Sequence, residues 1–112
     1  MKRAFVLSFL FTLLIFSLAF AGSRYDYQGS RKIIKRHCKI EYPDDYDMRV
    51  YCINEQKKAF RSLRNKKYFK NIPTGVCRTI RKKCEYEWGD DYAMQLYCEK
   101  NQVKAWYKLQ RE

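Results

Sequence analysis

The chain has 112 residues, with 24 Lys and Arg against 12 Asp and Glu, and a formal charge of +12 at pH 7. That length bounds it to one small domain, and the cationic excess favours anionic partners over cationic ones. One histidine and four glycines leave no Ser/His/acid constellation, no histidine-based metal cluster and no glycine-rich phosphate loop, so neither an enzyme nor a cofactor, metal or small-molecule substrate is expected.

Residues 1–21 read as a Sec-type secretory signal. Lys2 and Arg3 form a positive start, Ala4 to Phe20 carries no charge, and Ala19-Phe20-Ala21 offers the small-x-small pattern of a cleavage site before Gly22. A span of this length also approaches the roughly 17–20 residues that cross a bilayer, so retention as an anchor is the alternative. Removing the segment takes Lys2 and Arg3 with it and leaves a net charge of about +10. Export, to the periplasm or outside the cell, makes disulfides the default state of the five cysteines, all of which lie beyond residue 21. Residues 22–30, ending on Gly29-Ser30, read as a flexible arm.

From residue 31 onward a duplication organises the chain. A shift of 46 positions aligns Cys38–Leu63 with Cys84–Leu109 and gives 12 identities in 26 positions. They include both cysteines of each copy, Asp44-Asp45-Tyr46 against Asp90-Asp91-Tyr92, and Gln56 against Gln102. Such agreement marks an internal repeat. In the first copy, residues 31–64, Ile34, Cys38 and Tyr42 form one helical stripe; Met48, Cys52, Ala59 and Leu63 form a second, with Gln56 in its gap. Pro43 ends the first helix and Asp44 or Asp45 caps the second. Residues 65–74 make a basic surface linker with Pro73, and Thr74 is the expected cap of the third helix. The second copy, 75–112, repeats the pattern with Ile80, Cys84 and Trp88, then Gly89, then Asp90 and Asp91 as caps. The fold class expected is all-α: two tandem, antiparallel helical hairpins, four helices in all.

In each copy one cysteine precedes the bend and the other follows it, so antiparallel arms bring them face to face. The pairing expected is Cys38–Cys52 and Cys84–Cys98, one bridge per repeat. Each closed loop of about 15 residues would contribute roughly 3 kcal/mol in the chain-entropy treatment. Cys77 is left over. It lies on the same helix stripe as Cys84 but about two turns before it, too far to pair with it, and reads as a buried free thiol facing Ala105 and Leu109 or as the bridge of a covalent homodimer.

The cations fall in clusters. Arg31, Lys32, Lys35 and Arg36 stand on the first helix, Lys66, Lys67 and Lys70 in the linker, and Arg78, Arg81, Lys82 and Lys83 on the third helix. These eleven are the candidate anion-binding residues, for lipid or lipopolysaccharide head groups, acidic protein or nucleic acid. His37 is replaced by Lys83 in the second copy and reads as part of a solvated face rather than a metal ligand. The recurring aromatic pairs Tyr42/Trp88, Tyr46/Tyr92, Tyr51/Tyr97 and Phe60/Trp106 read as packing of the hairpins, with a stacking surface for nucleic acid as the alternative.

The repeated string Cys-x2-Glu-aromatic-x-Asp-Asp-Tyr-x-Met-x2-Tyr-Cys-x3-Gln-x2-Ala resembles one found in small uncharacterised exported bacterial proteins, which carry no activity to transfer. Cys38, Met48, Cys52, Ala59 and Leu63, with Cys84, Met94, Cys98, Ala105 and Leu109, are also similar in form to the LprI-type lysozyme-inhibitor domain. That second resemblance implies an inhibitor of a cell-wall hydrolase. The composition itself points to a non-enzymatic basic binding protein or, through Cys77, a structural assembly module.

Overall fold

The computed structural model describes residues 27–112, so the segment 1–21 expected to be a secretory signal and residues 22–26 lie outside it. The described chain is all-α: α1 (Tyr27–Glu41), α2 (Tyr46–Asn65), a 3-10 turn (Lys67–Phe69), α3 (Thr74–Trp88) and α4 (Tyr92–Gln110). Disulfides join Cys38 to Cys52 and Cys84 to Cys98, each with a Cα–Cα distance of 5.7 Å. Two stapled hairpins result, α1–α2 and α3–α4. Stable disulfides belong to an oxidising environment, extracellular or periplasmic. No helix among the described residues is long and apolar enough to cross a membrane.

The helix ends follow from local chemistry. Asp45 accepts a hydrogen bond from Met48 N at 3.0 Å, and Asp91 accepts one from Met94 N at 3.1 Å. Asp44 and Asp90 are not caps, because only the residue at the N-cap position reaches the N3 amide; Asp90 instead meets Arg36 Nη2 at 3.1 Å. Thr74 is not a cap either: it is the first residue of α3, and Pro73 takes the N-cap position without a side-chain acceptor. Gly89, at φ 52, closes α3 in a backbone region that an L side chain rarely adopts, and its amide bonds Glu85 O. At the end of α1 the carbonyls of Tyr42 and Pro43 accept from the Arg49 guanidinium.

Two expected boundaries move. Residues 27–30, assigned to the arm, form the first turn of α1, because Ser30 sits one turn before Ile34 and Cys38 on the same buried stripe. The linker 65–74 is not a surface connection throughout. Phe69 and Ile72 turn inward beside Ile80, Cys84, Cys98 and Val103 to make a second core, while the cations around them stay outside.

The first core is shared between repeats. Ile34, Cys38, Cys52, Ala59, Phe60 and Leu63 of the first repeat close around Tyr92 of the second. The rings of Phe60 and Tyr92 meet at 5.4 Å between centroids with planes 58° apart, the tilted geometry that aromatic pairs prefer. The repeats therefore fold against each other rather than side by side.

Candidate functional site

The joint between repeats is built around two polar devices. In the first, Gln56 on α2 is buried and reaches the N-terminus of α4. Its amide donates to Asp91 Oδ1 at 2.8 Å, and its carbonyl accepts from Tyr92 N at 2.7 Å and Ala93 N at 3.3 Å. A helix N-terminus presents unpaired amides, so Gln56 acts as a second cap supplied by the neighbouring repeat. Around it Arg36 pairs with Asp90, and His37 Nε2 lies 3.8 Å from Asp91 Oδ2, so the histidine faces the joint rather than open solvent.

In the second device the Glu99 side chain is wholly buried on α4. Arg81 Nε donates to it at 2.9 Å, the Tyr68 hydroxyl lies 3.2 Å away, and Gln95 donates to its other oxygen at 3.0 Å. Arg81 also donates to Leu63 O at 2.8 Å and to the Tyr68 hydroxyl at 2.9 Å. The end of α2, the linker, α3 and α4 thus meet at one charge pair. Burial, and then the adjacent Glu99 carboxylate, hold the Tyr68 hydroxyl protonated well above the ordinary tyrosine range.

These contacts divide the candidate anion-binding residues. Arg81 is withdrawn from the surface because Glu99 takes it inward. Arg36 is held by Asp90, and Lys83 by Glu87 one turn along α3. Lys32, Lys35, Lys66, Lys67, Lys70, Arg78 and Lys82 remain exposed, as does Arg31. Lys66, Arg78 and Lys82 come together with Phe69, Thr74 and Cys77 around one depression of about 300 Å³, which Arg81 also lines.

Cys77 does not face Ala105 and Leu109. Its half-buried thiol points toward the linker, 3.6 Å from Ile72 O, because the linker folds back over that side of α3. Ala105 and Leu109 line a different hollow, together with Gly75, Val76, Thr79, Ile80, Gln102 and Trp106, of about 370 Å³.

The aromatic pairs split likewise. Tyr92 is 1% exposed, whereas its repeat counterpart Tyr46 is 72% exposed. Phe60 is buried and Trp106 half-buried; Tyr51 and Tyr97 lie largely in solvent, and Trp88 is 40% exposed. Hairpin packing accounts for Phe60 and Tyr92 but not for Tyr46, Tyr51 and Tyr97. A repeat fixes residue type, yet only a neighbouring repeat covers the side chain.

Sequence reasoning missed Gln56 as a cap and Glu99 as a buried charge. For Glu99 a signal existed: the aligned residue is Ile53, so an acid replaces an apolar side chain at one place in the repeat. Compared with protein-family models, curated proteins and solved structures, the chain matches none.

Proposed function

We propose that this is an exported, non-enzymatic binding protein that engages an anionic partner through the cations of the linker and α3, the leader at 1–21 directing its export. The observation that carries the reading is the set Lys66, Arg78 and Lys82 around one depression, extended by Lys67 and Lys70 on the adjoining linker. Among the described residues none of these five forms an ion pair, while Asp45, Asp90, Asp91, Glu55, Glu87 and Glu99 are engaged as caps or pairs. Clustered positive charge without local compensation raises the potential over that flank and draws polyanions or anionic head groups to it.

Retention on heparin and on vesicles containing anionic lipid tests the reading, each measured at low and physiological salt. Retention should fall steeply as the screening length shortens. Reversing Lys66, Lys67 and Arg78 to Glu should remove most of it while the helical circular-dichroism signal stays. Loss of no retention on that reversal, or equal retention on neutral and anionic vesicles, would refute the proposal.

A further inference from the structure

We propose that the open groove of the second repeat receives the N-terminus of α2 from a second copy of this chain, in a head-to-tail contact that repeats the joint between the two repeats. The hollow lined by Ile80, Gln102, Ala105, Trp106 and Leu109 is the positional equivalent of Ile34, Gln56, Ala59, Phe60 and Leu63. In the first repeat that set is buried under Tyr92, Ala93 and Leu96. In the second repeat Ile80 is buried in the second core and Gln102 and Trp106 are half-buried, but Ala105 and Leu109 lie open, Leu109 being 66% exposed where Leu63 is fully buried.

The occupant that fits is also present on the chain. Tyr46 and Val50 stand where the second repeat has Tyr92 and Leu96, and both are exposed. The polar pairs of the joint have counterparts too. Gln56 on Asp91 becomes Gln102 on Asp45, and Tyr46 N takes the place of Tyr92 N as donor to the glutamine carbonyl. Arg36 with Asp90 corresponds to Lys82 with Asp44, and His37 with Asp91 to Lys83 with Asp45, so a basic side chain again faces each of these two aspartates once Lys83 turns from Glu87. Asp44, which caps nothing within its own hairpin, acquires a role in this contact.

Two differences make the contact weaker than the internal joint. Glu99 is replaced by Ile53, so the buried pair with Arg81 has no counterpart. Arg49 stacks over Tyr46 at 5.0 Å and must yield for the ring to bury. The association is therefore reversible and rises with concentration. Because donor and acceptor surfaces differ, the contact is heterologous: each chain has one inserting and one receiving end, and the series extends with concentration until its rotation closes it into a ring.

Tyr46→Asp spoils the inserting end and Leu109→Asp the receiving end, both at exposed positions outside the cores. Protein recovered oxidised from the periplasm of an expression host is followed by sedimentation, on samples that run as single chains on non-reducing gels. The weight-average mass of the unaltered chain should climb with concentration, each variant should stay at one chain, and an equimolar mixture of the two variants should stop at two. A mass of one chain up to about 1 mM, association by either variant alone, or a mixture that stays monomeric would each overturn the proposal.

Discussion

Replacing Gln56 by Met removes the shared cap while nearly preserving side-chain volume. Tyr92 N, bonded at 2.7 Å inside the first core, loses its acceptor, and Asp91 loses a donor at 2.8 Å. A buried amide left without a partner costs about 1–3 kcal/mol, and a hydrogen bond to a carboxylate is worth about 1.5–3 kcal/mol. Asp91 keeps the Met94 amide and is partly open to water, so the second figure counts only in part. The expected loss is about 2–4 kcal/mol, read from urea unfolding with disulfides intact. The midpoint of thermal unfolding should drop by at least about 8 °C for a domain of this size. Gln102, at the matching position of the second repeat, makes no such bond among the described residues, and Gln102→Met should change stability by less than about 0.5 kcal/mol in dilute solution. Equal losses at the two glutamines would refute the argument, since they would tie the cost to the residue type rather than to the joint.

The two aspartates of the first bend should separate just as clearly. Asp45→Ala removes the acceptor of Met48 N and should cost about 1 kcal/mol, whereas Asp44→Ala should stay within about 0.5 kcal/mol, both by urea unfolding of the dilute protein. Alkaline stability should carry a contribution from Tyr68. Below the ordinary tyrosine value of 10.0 the hydroxyl is protonated in folded and unfolded chains alike; above it only the unfolded chain ionises, because the folded value is raised. Stability is thus undiminished by this group below roughly pH 10 and falls above it by about 1.4 kcal/mol per pH unit. The stability difference between the unaltered chain and Tyr68→Phe should shrink accordingly between pH 9 and pH 11. A difference that stays constant or grows over that interval would exclude the effect.

The hairpins, their bridges and one cap in each pair were legible because they depend on residues close in sequence. A cysteine on each arm, a Pro or Gly at the bend and an Asp before the next helix act within one unit, and the duplication showed each of them twice. What lay beyond reach was the relation between units. Tyr46 and Tyr92 are the same residue in the same local pattern, and only the docking of α4 on the first repeat buries one and leaves the other in water. Gln56 interrupts an apolar stripe and looked like a gap in the core; it became a core residue because a helix N-terminus lies opposite it. Arg81 looked like any surface cation on α3, since its partner Glu99 lies 18 positions further along and on another helix. The linker was misread for a related reason. Its cations suggested a solvated connection, but Phe69 and Ile72, three residues apart, both fill the second core.

That inward linker bears on the binding proposed for the cationic flank. Lys66, Lys67 and Lys70 flank a short turn whose Phe69 is buried and whose Tyr68 is held by Glu99 and Arg81. The carbonyl of Lys70 also accepts from the Tyr107 hydroxyl at 3.2 Å. The backbone carrying these ammonium groups is therefore ordered before any partner arrives, and Arg78 and Lys82 stand on a helix already clamped by the Cys84–Cys98 bridge. Only side-chain rotamers remain to be fixed on binding, at about 0.5–1.5 kcal/mol for each immobilised chain. A flexible basic tail of the same composition would lose backbone freedom as well, about 1–2 kcal/mol for every residue ordered. If the flank binds as proposed, the buried charge pair and the second core would serve recognition as well as stability: they hold a segment rich in like charges against its own repulsion and would spare it the larger entropic cost on contact with an anionic surface.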